Sequence, residues 1–117
     1  MRIWDIPPEK LCRHHLLGEH CELHALWAIL TQGKKGYAKH PETLRWKGKL
    51  KALYVRHEAL VWEMARRGYR HASALSSALA TGASKQDVYV DSYSKQVRML
   101  RQKGCGCMKP IVERKGQ

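Results

Sequence analysis

The chain has 117 residues, 44% of them hydrophobic and 27% charged, which bounds it to one compact domain with one modest core. No apolar run approaches the ~20 residues of a bilayer crossing, and no charged-then-apolar leader precedes a cleavage site, so a cytoplasmic protein without membrane contact is expected. Twenty-two Lys and Arg against ten Asp and Glu leave a net charge of +12, spread from Arg2 to Lys115, and a polyanion, nucleic acid first, is the natural partner.

The opening stretch MRIWDIPPEKLCRHHLLGEHCELH sets four histidines and three glutamates among leucines. Periodicity predicts a first helix from about Pro8 to Leu30, started by Pro7-Pro8 and stopped by Thr31-Gln32-Gly33. At the helical angular step Leu16, Leu23, Leu26, Trp27 and Leu30 form one stripe that also contains Glu19, with Glu22 and His15 at its border. A carboxylate there costs desolvation energy unless a cation meets it, so a structural ion pair with an arginine is the plain alternative to a catalytic role.

The link TQGKKGYAKHPE reads as a basic loop that hands over at Pro41 to a short helix ending near Gly48. A second long helix is predicted from Lys49 to Arg67, with Leu50, Leu53, Tyr54, His57, Val61 and Met64 on its seam and Gly68 as its stop. SALSSALATGASKQ reads as loop with one short helical turn, and Asp91 or Ser92 caps a last helix, YSKQVRMLRQK, that Gly104 ends. This divides the chain into a helical domain, 1–104, and a basic tail, 105–117.

Metal and thiol chemistry find little in the spacing. His20 and His24 are four apart, as zinc pairs are, but HCELH is not HExxH. Cys105 and Cys107 lack the second pair that a zinc hook needs. The four cysteines are too few and too uneven for a disulfide framework and are expected as free thiols. No metal and no other cofactor is expected.

Two stretches carry a resemblance. Arg2-Ile3 followed by HLLGEHCEL, His15 to Leu23, and then RHEALVWEMARRGY, Arg56 to Tyr69, resemble the pyrimidine-dimer DNA glycosylases typified by phage endonuclease V, over roughly residues 1–70. The resemblance implies an all-α fold of three main helices with long loops, the N-terminal segment packed between helices, and a monomer. The periodicity reading gives the same helix count.

It also implies a DNA-repair glycosylase and abasic-site lyase acting on damaged double-stranded DNA. In that family the free amine of the first residue attacks the sugar C1′, an imine forms, and a glutamate mapping to Glu22 stabilises the cationic sugar and handles protons. Physical chemistry supports the choice of nucleophile. An α-amine has an intrinsic pKa of about 7.7–8.0 against about 10.4 for lysine, so a useful fraction is neutral near pH 7. Arg2 is bulky enough to block methionine removal, and the register of the match puts Met1 in the nucleophile's place. Met1 and Glu22 are therefore the expected catalytic pair, with Arg2 gripping a phosphate or orienting Glu22, and His15 contacting DNA or handling protons. Glu19 is expected to be structural, and His14, His20 and His24 to be polar surface.

The family pattern has arginines where this chain has Cys21 and Ala25, and an aromatic C-terminal cluster where it has CGCMKPIVERKGQ. Lys34, Lys35, Arg45 and Lys47 are the expected replacements for the missing phosphate contacts. A basic nucleic-acid-binding protein that keeps the fold without the chemistry is the alternative.

Overall fold

A computed structural model describes residues 2–70 and 73–108. Met1, expected to supply the amine, lies outside the described residues, as do 109–117 of the predicted tail. Among the described residues the protein is all-α, with α1 at Arg13–Gln32, α2 at Pro41–Trp46, α3 at Leu50–Arg66 and α4 at Tyr93–Gln102.

The predicted first helix begins later than its proline start suggests. Pro8–Lys10 forms a separate 3₁₀ turn, the chain re-extends at Leu11 and Cys12, and α1 starts only at Arg13. Two features hold the break open. Leu11 is buried in the core, and the Arg67 guanidinium donates to the carbonyls of Leu11 at 2.7 Å and Pro8 at 3.3 Å, which a continuous helix would use internally. Other boundaries follow local chemistry. Gly33 ends α1 in the left-handed conformation, the His40 ring accepts the Glu42 N–H to cap α2, and the Ser92 hydroxyl accepts the Lys95 N–H to cap α4. The predicted turn in the serine-rich stretch is a 3₁₀ turn at Ser77–Leu79.

α1 packs chiefly against α3, joining Leu16, Leu23 and Leu26 to Leu53, Leu60 and Met64 in one core. Burying each such side chain contributes about 1.5–3 kcal/mol. The face of α3 is rotated slightly from its predicted seam, with Ala52 and Leu60 buried and Tyr54 and Val61 only partly so. The N-terminal segment is clamped between helices as expected. Ile3, Trp4 and Ile6 are buried, Asp5 exchanges two hydrogen bonds with the Gln96 side chain of α4, and Arg45 of α2 donates to the Ile3 carbonyl.

Arg45 itself is a correction. Expected to contact phosphate, its side chain is 3% exposed. Its donors reach Glu42 at 2.7 Å, Asp5 at 3.1 Å, and the carbonyls of Val88 and Ile3 at 2.8 and 2.7 Å. Glu42 lies three residues earlier, on the same face of α2, and draws the guanidinium inward.

Ahead of α3, residues 81–83 cross the helix start. Lys51 and Ala52 donate their N–H groups to the carbonyls of Thr81 and Ala83, and Ala83 donates to Gly48. Gly82, at φ +83°, fits there because a Cβ would stand 2.2 Å from the Gly48 carbonyl oxygen. After α4, residues 105–108 fold back on the start of α1, where Met108 donates to the Lys10 carbonyl at 2.7 Å.

At the far end of α3, burial pushes the Glu63 carboxyl up, but hydrogen bonds from Arg66 and Arg67 outweigh it and hold the group below the usual carboxylate range. A depressed carboxylate stabilises the fold above its unfolded-state pKa, and that contribution is lost as pH falls through the lower folded value. The melting temperature of wild type should therefore drop below about pH 4.5 more steeply than that of Glu63→Gln. Equal slopes in thermal melts across that range would remove Glu63 from the acid limb.

Candidate active site and basic groove

The bordering carboxylates and the N-terminal segment meet in one place. Arg2, Trp4, His14, His15, Gly18, Glu19 and Glu22 line a cavity of about 200 Å³. Helical spacing puts His15, Gly18, Glu19 and Glu22 on one side of α1. The segment laid across that face supplies Arg2 and Trp4.

The two glutamates differ in environment. The Glu19 side chain is fully buried and held by a bidentate pair with Arg56 of α3, at 2.6 and 3.0 Å, as the structural reading expected. Burial pushes its carboxyl up from the ordinary value, with the Arg56 charge opposing that shift. Glu22, one helical turn on, is half-buried and lines the same cavity. It is the carboxylate a substrate could reach.

Arg2 stacks over Trp4 with its guanidinium carbon 4.9 Å from the ring centre, and pairs with Asp91 at 2.8 Å. Hydrogen bonds from Lys95 and Arg2 hold Asp91 below the usual carboxylate range. Arg2 lines the same cavity as Glu22, and its ion pair with Asp91 was not visible in the sequence. The His15 ring meets Trp4 edge to face at 5.7 Å, and burial, reinforced by the Lys103 charge, pushes its pKa down.

A larger cavity of about 770 Å³ lies away from this chemistry, between the end of α1, the following loop and α2. Lys34, Lys35 and Lys47, three of the four expected phosphate contacts, line it with Lys39, His40 and Tyr37. Among the described residues no carboxylate lines it, so the small cavity holds the candidate chemistry and the large one is a basic groove. Thr43 also lines the groove, and its buried hydroxyl has no hydrogen-bond partner among the described residues.

Two further clusters escaped the spacing argument. His20 and His24, expected as polar surface, converge on the fully buried His57 of α3, with Nε2–Nε2 distances of 3.2 Å and 3.1 Å from His24. The Nδ1 of His57 meets a Glu58 carboxylate oxygen at 2.8 Å. Near the start of α1, the donor atoms of Cys12, His15, Cys105 and Cys107 all lie within 4.8 Å of one another. The pair that Cys105 and Cys107 lacked in the sequence is Cys12-x-x-His15, some ninety residues away. Both groups have the donor types that hold transition metals.

Residues 1–77 match the family described as pyrimidine dimer DNA glycosylase. No curated protein and no solved structure matches the chain.

Proposed function

The chain belongs to the pyrimidine dimer DNA glycosylase family, and we propose that it excises a damaged base from double-stranded DNA and then cleaves the abasic strand through an imine on its N-terminal amine. The amine of Met1 attacks C1′ of the extruded nucleotide and the base departs with the glycosidic electron pair. Loss of the nitrogen proton and ring opening give the imine. Elimination then removes a C2′ proton and releases the 3′ phosphate. Glu22 stabilises the cationic sugar and carries these protons, while Glu19, locked to Arg56, holds the α1 face in place.

The observation that supports this reading is that Arg2 and Glu22 line one cavity. Met1, the residue before Arg2 in the sequence, is the nucleophile in this reading. Extrusion of the nucleotide is cheapest at a damaged pair, which gives selectivity without base-specific contacts. The protein acts as a monomer in this reading, with Lys34, Lys35 and Lys47 gripping phosphates along the groove.

Borohydride trapping on abasic-site duplex tests the chemistry. Untagged protein should give a covalent adduct that disappears when the N-terminus is acetylated or extended by a tag. Absence of any adduct would leave DNA binding without catalysis. The groove has its own test. Replacing Lys34, Lys35 and Lys47 by alanine together should flatten the dependence of log affinity on log salt by about 2–3 units, at ~0.9 per lost phosphate contact. An unchanged slope would place the DNA elsewhere.

A further inference from the structure

We propose that Cys12, His15, Cys105 and Cys107 bind one zinc ion in a closed tetrahedral site, pinning the segment after α4 to the first turn of α1. The inference rests on side-chain geometry and is independent of the reading of the Glu22 cavity.

Three sulfurs converge on one nitrogen. The His15 Nδ1 lies 3.1 Å from Cys12 Sγ, 3.4 Å from Cys105 Sγ and 3.2 Å from Cys107 Sγ. An imidazole nitrogen carries either one proton or one lone pair, so hydrogen bonding accounts for one of these approaches and leaves two without a cause. A cation at the centre accounts for all three. With zinc–sulfur bonds of about 2.3 Å and zinc–nitrogen bonds of about 2.0–2.1 Å, a tetrahedral site sets neighbouring S and N about 3.5 Å apart. The observed spacings need only a few tenths of an ångström of outward movement to match it.

The backbone shapes the site. Cys12 is the N-cap of α1, and its backbone N–H donates to Cys107 Sγ at 3.0 Å. Gly106, between the two later cysteines, has φ +100°, a conformation side-chain-bearing residues rarely adopt, and this turn lets both sulfurs face His15. On binding, the three thiols release their protons to solvent and the site carries one net negative charge. Three thiolates and an imidazole with no open position select zinc in a structural role over the hard cations that prefer oxygen.

The site reassigns His15. Its Nδ1 faces the metal, so only the other edge of the ring is left for the cavity, and the ion becomes a positioning element for the Glu22 face of α1.

Cobalt substitution in the full-length, untagged, reduced protein decides the matter. Titration should saturate at one equivalent per chain, with thiolate-to-cobalt charge-transfer absorption in the near ultraviolet and the strong visible bands of tetrahedral cobalt, and zinc should displace it. Cys105→Ser should lose about a third of the charge-transfer intensity, one thiolate in three. If that variant fails to fold, the wild-type titration alone gives the answer. No bound cobalt, or binding without charge transfer as the imidazoles of His20, His24 and His57 would give, overturns the proposal.

Discussion

Glu22→Gln is expected to lower turnover on abasic-site DNA by about 10²- to 10⁴-fold, the usual contribution of a positioned acid or base, with little change in stability. The amide keeps the shape of the side chain but carries no negative charge to oppose a cationic sugar and accepts no proton. Because Glu22 is half-buried in the cavity lining rather than locked in the core, its loss removes chemistry and not packing. Imine formation depends on the amine, so a weak borohydride adduct should persist while product formation fails. Single-turnover kinetics beside trapping yields separate the two steps. Full turnover by the variant would move the catalytic role to another group.

Arg45→Met should destabilise the protein by about 3–5 kcal/mol, the cost of leaving buried charge without its partner. Against the ~5–15 kcal/mol total of an ordinary domain, that is a large fraction. Among the described residues, the substitution leaves the Glu42 carboxylate with the Trp46 indole N–H at 3.0 Å as its one hydrogen-bond donor, and frees the Ile3 carbonyl that ties the N-terminal segment to α2. Arg45→Lys should recover little, because one ammonium does not reproduce a planar fork facing four acceptors. A urea midpoint unchanged from wild type, paired with a weaker salt dependence of DNA binding, would restore the phosphate-contact role expected from the sequence.

Arg45 also marks where sequence reasoning stops. The helices were legible because their signals are local. Leucines at helical spacing, Pro41, Ser92 and the glycines at 33, 68 and 104 each act within one turn of where they stand. The α1 stripe was legible down to Glu19, whose place among leucines called for an arginine. Which arginine it was, and that Arg45 was engaged elsewhere, depends on contacts across about forty residues, about which one sequence carries no information.

The same holds for the two clusters of cysteine and histidine side chains. Cys12 and Cys107 are 95 positions apart, and His24 and His57 are 33 apart, so each half looks incomplete when read alone. The start of α1 was misplaced for a related reason. The prolines announce a helix, but the break at Leu11 is enforced by Arg67, at the end of α3.

The stretch from Thr81 to Ala83 closes off one place where an anion could sit. Exposed amides at a helix start, with the positive dipole behind them, make a ready cradle for phosphate. At α3 that cradle is filled, since carbonyl oxygens of the protein's own loop occupy the Lys51 and Ala52 amides. In the proposed reading, grip on the backbone falls to the ammonium ends of Lys34, Lys35 and Lys47 around the groove, swivelling charges on four-carbon stems rather than amides fixed in place. Such contacts can follow a duplex through bending and unstacking, so a hold of that kind would tolerate the distortion that swinging a nucleotide out of the helix demands.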